Sequence, residues 1–273
     1  MESNLTKKRI AEYLAEGKRF DGREKLEYRN IEIETGISKN AEGSARVRIG
    51  ETEVLAGVKL GMAEPFTDSP ESGVLMVTAE LSPMSSEKFE PGPPSKESIE
   101  LARIVDRSIR ESQVIDLDKL CIKKGEKVWA VFIDIYPIND AGNLIDAATM
   151  ASMAAILTAV FPETDKDKEK IEYGTFTDKK LPLNEAVPIA MTFYKIGNSI
   201  ILDPTVEEEE ASDARLTIAM SKDKKEEVIN AMQKGGFYAL TEKEIFHIID
   251  TAEKEFIKFY KNFEEKLKKS KKG

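Results

Sequence analysis

Apolar residues along this chain recur with two different periods, and the order of those periods limits what the chain can fold into. Period-two or continuous apolar runs predict strands, whereas three- to four-residue spacing predicts helices. The predicted strands are 31–33, 45–49, 52–61, 72–81, 127–140, 187–196, 199–204, 213–221 and 227–240. The predicted helices are 4–16, 98–112, 143–161 and one that begins at Thr241. Strands followed by helices, twice, without a repeating strand–helix–strand unit, predict an α+β fold with mostly antiparallel sheets.

The helix predicted over 143–161 is rich in Ala, Ser and Thr, and small side chains let a helix approach a sheet closely. We expect Asn143 to cap its first turn, Asp146 to interact favourably with the helix dipole, and Pro162 to follow its end. A charged segment follows, so the pattern predicts a core helix and not a membrane span.

Other elements also carry specific expectations. Strand 127–140 should end at Pro137, and strand 72–81 is apolar enough to be buried on both faces. The last helix should begin with a capping box, in which Thr241 and Glu244 satisfy each other's backbone N–H groups. A chain of 273 residues is long enough for one or two domains with their own cores.

The charged segment "ETDKDKEK" (163–170) is the predicted boundary between two domains. We expect an N-terminal domain over 1–165 and a C-terminal domain over 185–262. A lysine-rich tail is expected over 263–273.

The cysteine count, the absence of long apolar runs and the net charge of the chain limit the classes of function that it can have. A single cysteine, Cys121, excludes an intrachain disulfide and fits a reducing compartment. The first residues are polar and no run is long and apolar enough for a membrane span, so we expect a soluble, cytoplasmic protein without a membrane partner.

The formal net charge is −9, whereas nucleic-acid binders usually carry a basic surplus. Any nucleic-acid binding must therefore use a local basic patch or a more basic partner.

Several common catalytic patterns are missing from the sequence. The only histidine, His247, lies in the predicted last helix with no cysteine or serine elbow near it in sequence, which favours a helix-flank role. There is no Cys/His zinc spacing, no phosphate loop and no dinucleotide fingerprint. We therefore predict no metal site and no bound cofactor.

The segment "DPTVEEEEASDARLTIAM" (203–220) crowds acidic residues before an apolar run. Such carboxylates could form a metal site or supply a general acid. Four adjacent glutamates, Glu207 to Glu210, repel one another and prefer solvent, which favours a charged loop between two strands.

One cluster of basic residues stands out in the helix predicted over 98–112. Arg103, Arg107 and Arg110 recur at i, i+4 and i+7, which places three guanidinium groups on one side of the helix. Guanidinium groups bind phosphate through bidentate hydrogen bonds. The alternative is a surface row paired with Glu100, Asp106 and Glu111, and the spacing alone does not decide between the two.

Four segments together resemble the RNase PH family. They are "RFDGREKLEYRNIEIETG" (19–36), "GSARVRIGETEVLAGVKLG" (43–61), "ELARIVDRSIRES" (100–112) and "MASMAAILTAV" (150–160). The segment over 57–86 is similar to the catalytically silent branch, a ring subunit of the archaeal exosome. The resemblance implies an RNase PH-like α+β fold, with a β-α-β core like domain 2 of ribosomal protein S5 and a smaller C-terminal α+β domain.

The sequence departs from active members of that family at two positions. Active members carry a Gly-Thr-Arg-like phosphate-binding motif before the small-residue helix, where this chain has Leu144, Ile145 and Asp146. The family's catalytic aspartate, aligned on "TIAM" (217–220), falls at Arg215, which cannot donate a proton. A two-residue shift of that alignment would place Asp213 there instead. Apart from that shift, the resemblance implies no catalytic residue in this chain.

The resemblance also implies a function and partners. It implies a non-catalytic, RNA-positioning subunit that pairs with a catalytic RNase PH-like sister, three pairs forming a hexameric ring. The ring degrades single-stranded RNA from its 3′ end with inorganic phosphate, used in the sister's active site, and RNA-binding cap subunits join it. Arg103, Arg107 and Arg110 are the expected RNA contacts. The alternatives are an active phosphorolytic exoribonuclease that uses Asp213, and an RNA-binding scaffold outside a ring.

Overall fold

The structure, a computed structural model, describes residues 4–165, 170–223 and 226–270. The helices are α1 (Asn4–Ala15), α2 (Lys96–Ser112), α3 (Leu144–Ile156), α4 (Val206–Ala211) and α5 (Glu242–Ser270), with a 3₁₀ turn at Leu117–Leu120. The strands are β1 (Ile31–Thr35), β2 (Gly43–Ile49), β3 (Thr52–Ala63), β4 (Val74–Ala79), β5 (Cys121–Lys123), β6 (Lys127–Asn139), β7 (Val160–Thr164), β8 (Ile171–Lys180), β9 (Ile189–Ile196), β10 (Ser199–Leu202), β11 (Ala214–Asp223) and β12 (Glu226–Gly235).

Two larger sheets and a hairpin organise these strands. The first sheet has the order β1-β2-β3-β6-β4, with β5 paired to β6, and the second has the order β10-β9-β11-β12. Strands β7 and β8 form a separate antiparallel pair. Every pairing in the described part of the chain is antiparallel except that of β4 with β6. The predicted α+β architecture with mostly antiparallel sheets is therefore confirmed.

Helices α2 and α3 lie between the two sheets and form the centre of the molecule. Both helices contact strands of the first sheet and strands of the second. All twelve residues from Ile145 to Ile156 are buried. The small side chains of α3 make this close approach possible. At Gly43 of β2, an added Cβ would lie 2.9 Å from the Cα of Ala159, just beyond the helix.

Helix α2 begins at Lys96, two residues before the predicted start, because Ser95 caps it. The hydroxyl of Ser95 accepts a hydrogen bond from the Ser98 backbone N–H at 3.2 Å, and Glu97 lies in the first turn. Its apolar stripe is buried, including Leu101, Ile104 and Val105. This burial fixes which side of α2 faces solvent.

The predicted capping box at the start of α5 is confirmed. Glu244 accepts a hydrogen bond from the Thr241 backbone N–H at 2.8 Å, and Thr241 accepts one from the Glu244 N–H at 3.3 Å. The helix then covers the face of the second sheet opposite α2 and α3, where Ile248, Ala252 and Phe256 join the core.

Two strand predictions were wrong in detail. Strand β6 continues past Pro137 to Asn139, and Pro137 pairs with Val54 beside a register shift in β3, an irregularity of the kind where a strand tolerates proline. Strand β4 is not buried on both faces, since Met76 is 47% exposed. It ends its sheet, and α2 covers only one of its faces.

The small-residue helix is shorter than predicted. It ends at Ile156 and not at residue 161, and the next backbone N–H groups, of Thr158 and Ala159, bond three residues back instead of four. The Thr158 hydroxyl also donates to the carbonyls of Ala154 and Ala155 at 3.0 Å each. The chain then enters β7, which contains Pro162, and pairs with β8, a strand that the sequence did not predict. The predicted charged boundary over 163–170 begins inside β7, and its residues 166–169 lie outside the described ranges.

The residues predicted as the start of a lysine-rich tail are helical. Helix α5 runs on to Ser270, since Phe263 and Leu267 are buried against the core. The Ser270 hydroxyl accepts a hydrogen bond from the backbone N–H of Thr35 at 2.7 Å. None of the helices in the described part of the chain combines the length and apolar composition that a bilayer crossing requires.

Candidate functional site

The three arginines predicted as RNA contacts lie on α2 and are exposed. Arg103 and Arg107 make no hydrogen bond or ion pair within the described ranges. Arg110 differs, because its guanidinium group donates to Asp106 at 2.6 and 3.1 Å and to the carbonyl of Leu75 at 3.0 Å. Two of the three guanidinium groups are therefore free to take a new acceptor.

One of the free arginines, Arg107, borders the second sheet. Arg107 lines a crevice between α2 and the paired strands β11 and β12, together with Thr217 and Gln233. The crevice is narrow and its floor includes the small side chains Ala219 and Ala231. Arg107 therefore lies next to β11, the strand on which the resemblance places a catalytic acid.

Arg215, at that position, faces α2. Its Nη2 donates to Oε1 of Glu100 at 2.7 Å, and the side chain is only 14% exposed. The guanidinium group lies against Gly235 of β12, where an added Cβ would be 2.6 Å from its Cζ. Burial lowers the pKa of Arg215, but the hydrogen bond to Glu100 and the nearby Tyr194 and Glu209 raise it above its ordinary value. This position holds a fixed positive charge.

Asp213, the alternative acid, has a structural partner. Its Oδ2 accepts a hydrogen bond from the backbone N–H of Gly197 at 2.8 Å, in the turn between β9 and β10. Its backbone carbonyl accepts from the N–H of Tyr238 at 3.2 Å. The carboxylate therefore stabilises a turn whose Gly197 has φ of +58°.

Asp146 lies in the first turn of α3, as predicted, but distant side chains also hold it, which the sequence did not predict. The residue is fully buried, and its carboxylate accepts from the Tyr28 hydroxyl at 2.7 Å, the Thr192 hydroxyl at 2.7 Å and the Asn143 amide at 3.1 Å. Burial raises its pKa to about 6, although these hydrogen bonds oppose the shift. At the start of α3, where active relatives are expected to bind phosphate, this chain holds an internal carboxyl group.

Asn143 precedes α3 but does not cap it. Its backbone is left-handed, with φ of +63°, and its side chain makes no capping hydrogen bond. The amide nitrogen instead joins two buried carboxylates, donating to Asp146 and, at 2.9 Å, to Asp203. The capping prediction was wrong because these long-range acceptors are not visible in the local sequence.

The glutamate run is a short helix and not the predicted solvated loop. Thr205 and Glu208 form a capping box at the start of α4. Glu208 is buried and makes an ion pair with the equally buried Arg19. Glu209 accepts hydrogen bonds from the Asn143 backbone N–H and the Tyr194 hydroxyl, each at 2.8 Å. Burial raises the pKa of Glu209 to about 7 despite these bonds.

The two arginines of the "RFDGR" motif bind the acidic segment 203–210. Arg19 also donates to the carbonyls of Leu202 and Asp203, and Arg23 donates to Oδ2 of Asp203 at 2.8 Å. These arginines anchor the segment before β1 to the loop between β10 and α4. This structural role was not predicted from the sequence, although the motif's two arginines and the acidic 203–210 segment are both visible there.

Within the described ranges, no three His, Cys, Asp or Glu side chains are grouped so as to hold a metal ion. His247 lies exposed on α5. The crowded carboxylates around Asn143 are bound by arginine, hydroxyl and amide groups, which leaves them a structural role.

Comparison with known proteins identifies the family. The profile of the 3′ exoribonuclease family, domain 1, described as RNase PH, matches residues 27–162, and that of domain 2 matches residues 186–255. The chain is 44% identical to the exosome complex component Rrp42 of Methanothermobacter thermautotrophicus, covering 91% of this chain and 90% of that protein. It is 43% identical to the protein of that name from Pyrococcus horikoshii, covering 98% and 97%.

The chain belongs to the RNase PH family. The resemblance stated from the sequence, to the archaeal exosome branch of that family, is confirmed by these relatives.

Solved structures agree with this assignment. The RNase PH-family fold of this chain matches a chain of the Archaeoglobus fulgidus exosome with RNA bound to the active site, with a TM-score of 0.83 and 41% identity. That match covers 94% of this chain and 98% of the other. An archaeal exosome core matches with a TM-score of 0.82 and 37% identity, covering 96% and 97%.

Proposed function

We propose that this chain is a non-catalytic, RNA-positioning subunit of an archaeal exosome ring that degrades RNA from the 3′ end with phosphate. In this proposal it pairs with a catalytic RNase PH-like sister subunit, and three pairs form a hexameric ring. Inorganic phosphate is used in the sister's active site. Single-stranded RNA and RNA-binding cap subunits are the further partners, and the complex is cytoplasmic. The names of the relatives, exosome components and exosome cores, support the assembly.

The observation that carries the proposal is the position of Arg215. A guanidinium group remains protonated at any pH at which the protein is folded, so it cannot serve as a general acid. It is also held by Glu100 at 2.7 Å and enclosed against Gly235. The acid that a register shift would supply, Asp213, is hydrogen-bonded to the turn amide of Gly197. The neighbourhood of Asp146 supports the same conclusion, since a buried carboxyl group does not attract phosphate.

Arg103 and Arg107 support the RNA-positioning part of the proposal. Both are exposed and unpaired within the described ranges, as groups that bind a phosphate backbone must be. Because the formal net charge of this chain is −9, the proposal assigns the rest of the basic RNA path to the sister subunit.

Charge reversal at Arg107 tests this role in the ring assembled with its sister. We expect Arg107→Glu to weaken binding of a single-stranded RNA by at least about tenfold and to make the salt dependence shallower, because a phosphate contact is replaced by repulsion. Lys261→Glu, at an exposed position on α5, is the matched control and should leave the affinity unchanged. Equal affinities for the two variants would contradict the proposed role.

The two alternatives have separate tests. An active exoribonuclease that uses Asp213 should degrade RNA without its sister and stop when Asp213 is removed. An RNA-binding scaffold outside a ring should bind RNA but fail to assemble with the sister chain when the two are mixed. Co-elution of the two chains as a hexamer would contradict the scaffold alternative.

A further inference from the structure

The face of α2 that carries the arginines also carries an acid. Glu100 precedes Arg103 by three residues and Arg107 by seven, so the three side chains follow one side of the helix. Glu100 is 41% exposed. An unpaired carboxylate there would repel the phosphates that the arginines are proposed to bind.

Arg215 pairs with this acid from the neighbouring sheet. It reaches from β11 to place Nη2 at 2.7 Å from Oε1 of Glu100. The space for its guanidinium group exists because β12 has a glycine at the paired position, Gly235, where a Cβ would lie 2.6 Å from Cζ and 2.8 Å from Nε. The backbone of the sheet therefore fixes the cation beside Glu100.

The guanidinium group of Arg215 does not make all the hydrogen bonds that its N–H groups could donate. Its Nη1 is buried and makes no hydrogen bond among the described residues. A buried donor without an acceptor is unfavourable for stability, so this arrangement is not what stability alone would select. A role outside folding gives a reason for the arginine.

We propose that Arg215 is an RNA-positioning residue that acts by neutralising Glu100. Asp106 already neutralises Arg110, so the charges left on this face between residues 100 and 111 are those of Glu100, Arg103, Arg107 and Glu111. With Arg215 in place these groups carry a net charge of +1. Without it the net charge falls to zero, and the local attraction for an RNA phosphate near Glu100 is lost. The inference rests on the proposed function, in which α2 contacts RNA.

A double-mutant cycle in the assembled ring tests the proposal, with affinity for a fluorescent single-stranded RNA as the readout. We expect Arg215→Met to weaken binding about three- to tenfold at low salt, with a smaller effect at high salt because the repulsion is screened. Adding Glu100→Gln to Arg215→Met should restore the affinity to within about twofold of the wild type. Arg215→Lys, which keeps the charge, should also bind close to the wild type.

The outcomes separate this inference from the proposed function. If Arg107→Glu weakens binding but Arg215→Met does not, the arginine face binds RNA and the neutralising role is wrong. If neither variant weakens binding, the proposed function itself is contradicted. A double variant as weak as Arg215→Met, at low and high salt alike, would indicate a purely structural arginine and overturn the inference.

Glu100 provides a second test should Arg215→Met fail to enter the ring. Glu100→Gln alone removes the acid and leaves the Arg215 cation, so it should bind RNA as tightly as the wild type or more tightly. Weaker binding by this variant would overturn the inference.

Discussion

Arg29 binds both carboxylate oxygens of Asp203, with its Nη2 at 2.7 Å from Oδ1 and its Nε at 2.8 Å from Oδ2. Asp203 is fully buried and has φ of +48°, a left-handed conformation that is unusual for aspartate. The same guanidinium group donates to the carbonyls of Ala141 and Gly142. One ion pair thus joins the segment before β1, the loop before α3 and the loop before α4.

Removing one partner of this ion pair should lower the stability of the protein. Asp203→Ala leaves Arg29 and Arg23 largely buried without their carboxylate, and we expect a loss of about 3–5 kcal/mol in the free energy of unfolding. Urea unfolding followed by circular dichroism measures it. The matched control is Arg48→Ala, which breaks the more exposed ion pair with Glu53 and should lower the free energy of unfolding far less. Similar losses in the two variants would contradict this account of the junction.

Asp146 should give the stability of the protein a specific pH dependence. Its pKa is about 6 in the folded protein and near 3.8 in the unfolded chain. Between these values the folded state holds more protons, so the contribution of Asp146 to stability is greatest at low pH and is lost as the pH rises through 6. A shift of about two pKa units corresponds to about 3 kcal/mol.

Asp146→Asn tests this sign, because asparagine imitates the protonated carboxyl group. The variant should gain about 3 kcal/mol relative to the wild type between pH 4 and pH 7.5 in urea unfolding. Glu244 is the opposite case, because the ion pair with Lys195 helps to lower its pKa to about 2. The contribution of this carboxylate to the free energy of unfolding is therefore lost as the pH falls through that value. Glu244→Gln removes that contribution. A stability difference between Asp146→Asn and the wild type that does not vary with pH would show that the buried carboxyl group does not titrate as described.

The contact between β2 and α3 should tolerate no side chain at Gly43. A Cβ there would collide with the carbonyl oxygen of Ala155 and lie 2.9 Å from the Cα of Ala159, both backbone atoms. We expect Gly43→Ala to lower the free energy of unfolding by about 1–3 kcal/mol. Gly57→Ala is the control, since nothing lies within 4 Å of its added Cβ, and it should change stability by less than about 0.5 kcal/mol. Thermal unfolding of both variants tests the difference, and equal melting temperatures would refute the close approach.

The sequence predicted the regular elements well where local pattern decides them. The apolar stripe predicted α2, and the Thr241 capping box predicted the start of α5, because both depend on residues within a few positions of each other. The hairpin of β7 and β8 was missed because much of β8 is exposed and its sequence lacks a buried alternation.

Buried charge could not be predicted in the same way. Four adjacent glutamates are typical of a solvated segment, yet Glu208 is buried because Arg19, 189 positions away, satisfies it. Asp146 likewise depends on Tyr28 and Thr192, which are distant in sequence. The arginine stripe of α2 was visible from spacing, but the pairing of Glu100 with Arg215 required the sheet to bring β11 to the helix.

The central claim is that this chain contributes RNA positioning and no catalytic group. The most direct measurement is phosphate-dependent degradation of a single-stranded RNA by this chain alone, by its sister subunit alone and by the two mixed. We predict activity in the mixture only, and we predict that it persists when Asp213→Ala is introduced into this chain. Activity from this chain alone, abolished by Asp213→Ala, would contradict the account and place the catalytic acid at Asp213.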